Sequence, residues 1–80
     1  MDIKKEIGLR IKALRSENKI TQEELSHSSG VDKTYISEVE NGKRNISVVN
    51  LEKIILALNK DFNSFFTQVP FSNKVTSNGE

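Results

Sequence analysis

An all-α domain of five helices is what this 80-residue sequence predicts. Three observations carry that prediction. Apolar residues recur at steps of three and four through successive segments, the period of a helix with one buried face. A Thr, Asp or Ser precedes four of those segments, where an oxygen is needed to accept the unpaired N–H groups of a first turn. Gly30 and the pair Asn41-Gly42 then follow two short segments at the points where each must stop.

The first helix runs from roughly Ile3 to Asn18, with Ile3, Ile7, Ile11 and Leu14 at steps of four, four and three. It is expected to roof the next two helices. Thr21 and Glu24 form a capping box, so the second helix starts at Gln22, anchored by Leu25. Ser26 is small enough for another helix to approach closely. Gly30 ends this helix in the left-handed conformation that a tight turn requires, and Val31 plugs the core behind it. Asp32 caps the third helix, Lys33 to Asn41. Tyr35, Ile36 and Val39 share one flank of it and Lys33, Thr34, Ser37 and Glu38 the other.

Ser47 caps a fourth helix whose apolar face is Leu51, Ile54, Ile55 and Leu58, while Val49 and Leu56 point elsewhere and require a partner. Asp61 caps a short fifth helix carrying Phe62, Phe65 and Phe66. Beyond it, Pro70 and the polar run SNKVTSNGE read as a flexible tail, which divides the chain into a domain over 1–69 and a tail over 70–80. Four of the five aromatic residues, Phe62, Phe65, Phe66 and Phe71, fall after position 60, so aromatic surface is concentrated at one end of the domain.

Composition narrows the function. There is no cysteine and one histidine, His27, which excludes disulfide scaffolds and cysteine-rich zinc sites and points to a cytoplasmic protein. No metal or cofactor is expected, and His27 reads as an exposed helix residue. The longest apolar run, Ile54 to Leu58, is too short to cross a membrane. No nucleophile with a base and an orienting group appears, nor a phosphate-binding glycine loop, so an enzyme is not expected. Net charge is only +1, which argues against an indiscriminate nucleic-acid coat. Basic residues nevertheless gather locally, with Lys4, Lys5, Arg10, Lys12 and Arg15 on the first helix and Lys43 and Arg44 after the third. A basic rim is the consequence.

The second and third helices, pivoting on Gly30, have the pattern of a helix-turn-helix, in which the second member enters the DNA major groove. A helix of about nine residues spans roughly 14 Å, comparable with a groove about 12 Å wide. The sequence therefore implies a double-stranded DNA partner.

From Gly8 to Phe66, about three-quarters of the chain, the sequence resembles the lambda-repressor-like regulators through GLRIKALR, TQEEL, GVDKTYISEVENGKR and LEKIILAL. Within them, TYISEVE followed by G-x-R-N-I-S and a later Phe-Phe is most similar to the controller proteins of restriction-modification systems. Two positions depart from the pattern: Ser26 stands where alanine is usual, and Lys33 where the controller group shows arginine. Lysine offers a point charge in place of a planar fork, which alters how guanine can be read.

The resemblance implies roles by position. Lys33, Thr34 and Glu38 lie where base edges are contacted; lysine suits guanine acceptors, threonine the thymine methyl, and a carboxylate the cytosine amino group. The bland alternative for Glu38 is a pair with Lys33 or Lys43. Arg44 matches the controller-type arginine and is expected to reach a base as well as phosphate. Thr21 and Gln22, at the positive end of the second helix, are expected at phosphates, with Tyr35, Ser37, Asn41, Lys43 and Asn45. Arg15 and Glu40 are expected to form a structural ion pair between the first and third helices.

One such domain touches few base pairs, so a homodimer is expected, through Val49, Leu56, Phe62, Phe65 and Phe66, presenting two reading helices about 34 Å apart to a pseudo-palindrome; the alternative is that the phenylalanines close a monomeric core. Regulation would follow from placement of that dimer relative to RNA polymerase. The alternative class is a protein-interaction module, such as an antitoxin or a phage-type repressor or anti-repressor component. It requires a partner-binding segment after Thr67, where the sequence is short and nearly featureless.

Overall fold

Five N-terminal caps fix where the helices begin, and they organise the fold seen in the computed structural model, which describes residues 2–67. The helices are α1 (Ile3–Glu17), α2 (Gln22–Ser29), α3 (Lys33–Glu40), α4 (Val48–Ala57) and α5 (Phe62–Phe66), and no strand occurs among the described residues. Met1, the expected boundary at residue 69 and the expected tail 70–80, with Pro70 and Phe71, lie outside them.

Thr21 and Glu24 form the capping box of α2: Thr21 Oγ1 accepts from the Glu24 N–H at 3.0 Å, and the Thr21 N–H donates to Glu24 Oε1 at 2.8 Å. Asp32, Ser47 and Asp61 cap α3, α4 and α5 as their positions predict. Asp2 adds a cap on α1 that the sequence reading did not name. Asn18 and Asn41, read as the last residues of their helices, serve instead as C-caps, so α1 and α3 each end one residue earlier.

The core is made by Ile11, Leu14, Leu25, Val31, Ile36, Val39, Leu51, Ile54, Ile55, Leu58 and Phe65. α1 packs on α3, α2 lies against α3 and α4, and α5 closes against α4. Removing this apolar area from water is the main stabilising contribution, at about 25 cal/mol per Å².

Two expectations are corrected here. Ile3, read as the first core position of α1, is 50% exposed; it lines the edge of a small pocket with Ile7, Val39, Asn45 and Ile46. Phe65, read as a dimer-interface residue, is fully buried under α4 and cannot meet a partner chain. The short α5 turns Phe65 inward, and its edge-to-face contact with Phe66, centroids 4.9 Å apart, completes that end of the core.

The crossing of α1 and α3 depends on Gly8, which is buried. A Cβ there would overlap the Val39 carbonyl oxygen and lie 2.9 Å from that of Glu40. The backbones meet closely at this point because residue 8 has no side chain. Arg10 joins α1 to α5: its Nε and Nη2 donate to the carbonyls of Phe65 at 2.9 Å and Ser64 at 3.1 Å, and its guanidinium lies 5.7 Å from the Phe65 ring. Arg10 thus caps two carbonyls at the end of α5, where that of Ser64 also accepts from Thr67 Oγ1 at 3.3 Å. It leaves the basic rim in which the sequence placed it.

Candidate nucleic-acid interface

The turn between α2 and α3 sets how the polar flank of α3 is presented. Gly30 has φ 75° with open space around it, so the backbone conformation alone demands glycine there. Val31 is buried, and Asp32 Oδ2 accepts from the N–H groups of Thr34 at 2.9 Å and Tyr35 at 3.3 Å. The first turn of α3 is therefore fixed at both its apolar and its polar ends. Lys33 and Thr34 are exposed on it, and Ser37 and Glu38 follow one turn later, half-buried.

Behind this flank, Arg15 and Glu40 form the ion pair that the sequence implied. Arg15 Nε meets Glu40 Oε2 at 2.7 Å and Nη2 meets Oε1 at 3.0 Å, while Nη1 donates to the Ile20 carbonyl at 3.0 Å. The two side chains are 16% and 3% exposed, so the pair is largely desolvated. The hydrogen bond to Glu40 holds the guanidinium pKa above the ordinary arginine value, against the opposing effect of burial.

Gln22 joins the same network, its Nε2 donating to Glu40 Oε1 at 3.0 Å. The start of α2, the start of α1's last turn and the end of α3 are tied at one carboxylate. The Gln22 side chain is thus engaged inside the domain, and what α2 offers outward at this position is its backbone N–H.

Beyond α3 the chain turns at Gly42, φ 72°, and Asn41 Nδ2 donates back to the Ser37 carbonyl at 2.9 Å. Lys43, Arg44 and Asn45 are exposed on this loop. Arg44 Nη1 pairs with Glu38 Oε1 at 2.8 Å, and its guanidinium lies 4.6 Å from the centroid of the Tyr35 ring. Glu38 therefore pairs with Arg44, where the sequence reading offered Lys33 or Lys43. The bond to Glu38 raises the Arg44 pKa.

The Tyr35 hydroxyl accepts from the Ser47 N–H at 3.2 Å and donates to the Asn45 carbonyl at 3.5 Å. It clamps the loop between α3 and α4. Burial pushes the phenol up, but hydrogen bonding with Asn50 and Ser47 and the charge of Arg44 outweigh it, leaving the pKa below the ordinary tyrosine value.

Thr21, Lys33, Thr34, Arg44, Lys43, Asn41 and Asn45 thus all stand exposed around the polar side of the α2–α3 unit. Val49, Leu56 and Phe62 form a separate apolar set on α4 and α5, 62%, 60% and 38% exposed. Phe66 is half-buried, stacked on Phe62 with centroids 6.4 Å apart. Gly8 and Arg10 were missed as structural residues. The available signal for Gly8 was a glycine inside an otherwise strong helical pattern, which costs about 1 kcal/mol unless packing requires it.

Two helices joined by a glycine turn, the second capped, rigidly backed and polar on its outer flank, define a helix-turn-helix protein. The helix-turn-helix family model matches residues 11–65. Control protein C.MunI from Mycoplasma sp is 42% identical over 69 residues, covering 85% of this chain and 93% of that protein. The solved restriction-modification controller protein C.AhdI from Aeromonas hydrophila superposes with a TM-score of 0.77 at 35% identity, covering 82% of this chain and all of that one. The C.Esp1396I controller protein, solved as a tetramer in complex with its natural 35 base-pair operator, gives 0.75 at 36% identity over 79% of this chain and 83% of that one. This chain belongs to the helix-turn-helix family and, within it, to the restriction-modification controller proteins.

Proposed function

We propose that this DNA-binding transcriptional regulator acts as a homodimer that inserts α3 of each subunit into the major groove of a pseudo-palindromic operator and sets gene expression by its position relative to RNA polymerase. The observation that carries the reading is the outer flank of α3, exposed or half-buried at Lys33, Thr34, Ser37 and Glu38, on a helix fixed by the Asp32 cap and the Arg15–Glu40 pair. Rigid backing matters because base readout tolerates little displacement of its donors and acceptors.

Lys33, Thr34, Glu38 and Arg44 are assigned to bases. Thr21, the Gln22 backbone N–H, Tyr35, Ser37, Asn41, Lys43 and Asn45 are assigned to phosphates, which position the domain without specifying sequence. Val49, Leu56 and Phe62, with the edge of Phe66, are assigned to the dimer, which doubles the number of base pairs read. The domain is taken to end at residue 69. The protein is read as a cytoplasmic regulator without enzymatic activity; among the described residues no helix is long and apolar enough to cross a membrane.

Paired substitutions test the division of labour. Lys33→Ala is expected to weaken the preferred duplex by about ten- to a hundredfold and to relax preference at one base position. Lys43→Ala is expected to weaken all duplexes by a similar factor and to lower the salt slope by about one. Uniform losses from both would contradict the assignment of α3 to base readout.

A further inference from the structure

Arg44 is not a free loop arginine. Its guanidinium is bonded to Glu38 at 2.8 Å and rests on the Tyr35 ring at 4.6 Å. Tyr35 is itself fixed by the Ser47 N–H at 3.2 Å, so the platform under Arg44 is part of the fold. The Arg44 and Glu38 side chains remain 50% and 42% exposed, on the polar side of α3. Resting on the proposed reading of DNA by α3, we propose that Glu38 and Arg44 read one G·C pair as an ion-paired unit, and that Glu38 is the specificity-determining member because it withholds Arg44 from indiscriminate phosphate contact.

The chemistry separates two kinds of encounter. Arg44 can meet a phosphate with the ion pair intact, which brings the Glu38 carboxylate against the anion, or after leaving Glu38 and Tyr35, which abandons that carboxylate to face the negative backbone. Both routes oppose binding. A G·C pair makes no such demand. Its major-groove edge carries guanine N7 and O6 as adjacent acceptors, with the cytosine amino donor beside them. Guanidinium has five N–H donors and carboxylate two oxygens. The bond between Nη1 and Oε1 therefore leaves donors for guanine and an oxygen for cytosine while the ion pair stays intact. An A·T pair fits less well, since its amino donor stands between its two acceptors and splits the arginine fork.

The test uses the full chain, a duplex enriched by the wild-type protein from a random pool, and a scrambled duplex, with binding measured over a range of salt. Glu38→Gln is nearly isosteric on an exposed side chain, and circular dichroism with a thermal melt verifies that it folds. It is expected to weaken the enriched duplex by about tenfold while binding the scramble as well as or better than wild type, with a salt slope on the scramble steeper by about one. The combined Glu38→Gln and Arg44→Ala variant is expected to lose no more discrimination than Arg44→Ala alone, because the two residues act as a unit. Equal shifts on both duplexes, or losses of discrimination that multiply in the double variant, would overturn the proposal. Discrimination by wild type that survives intact in Glu38→Gln overturns this inference alone. Failure of wild type to discriminate at all overturns the parent reading and this one together.

Discussion

At the scale of single residues, one carboxylate and one missing side chain hold the helices in place. Glu40 is 6% exposed, pairs with Arg15 and also accepts from the neutral Gln22 amide, so removing either member of the ion pair leaves the other desolvated without its counter-charge. Arg15→Ala or Glu40→Ala is expected to lower unfolding free energy by about 3 to 5 kcal/mol in urea titrations. Gly8→Ala tests the helix crossing: a methyl group placed against the Val39 carbonyl should destabilise by about 1 to 3 kcal/mol, although alanine is the better helix former. The caps Thr21, Asp32, Ser47 and Asp61 were legible because a cap is a local event, decided by residues within four positions. The Arg15–Glu40 pair, 25 positions apart, was reached only through family resemblance. Arg10, whose partners are backbone carbonyls 54 and 55 positions away, left no mark in the sequence, since any residue supplies a carbonyl.

At the scale of elements, the ends of helices carry the testable strain and charge. Lys19 follows α1 with φ 57°, and the Ile20 N–H bonds the Arg15 carbonyl at 3.1 Å, a terminating turn that glycine usually occupies. Relief of left-handed strain, about 1 to 2 kcal/mol, exceeds the added unfolded-chain entropy of glycine, about 0.4 to 1 kcal/mol, so Lys19→Gly should stabilise by roughly 0.5 to 1 kcal/mol. At α5, the backbone N–H of Ser64 and then its hydroxyl hold the Asp61 carboxyl below the ordinary aspartate range. Because the folded value is depressed, the cap contributes fully above the unfolded aspartate pKa of about 3.9 and is lost as pH falls through the lower folded value. Protection of the Ser64 amide should fall in that window, and Asp61→Asn, which caps without titrating, should flatten it. The apolar stripe on α1 was misjudged at Ile3 because periodicity gives a direction around the helix axis and says nothing of where along it the neighbouring elements end.

At the scale of the whole molecule, Val49, Leu56 and Phe62 leave apolar surface exposed on α4 and α5. Periodicity on α4 placed Val49 and Leu56 outside the core, and both are exposed. The phenylalanines could not be sorted in the same way, since Phe62, Phe65 and Phe66, at i, i+3 and i+4, share one face of a one-turn helix and periodicity does not divide them. Phe65 went inward and Phe62 outward. Leu56→Asp places a charge on the assigned dimer surface while leaving the core intact. It is expected to convert a dimer at micromolar concentration into a monomer by sedimentation, with affinity for a two-fold operator falling accordingly; a wild-type protein that sediments as a monomer both free and on DNA would sink the dimer assignment. Whether the exposed flank of α3 reads sequence is decided by selecting bound duplexes from a random pool and measuring the affinity of the selected sequence and of its scramble at one physiological salt. The expected result is a two-fold-related motif bound at least about a thousandfold more tightly than the scramble; no enriched motif, with only weak salt-sensitive binding, would contradict sequence reading by α3.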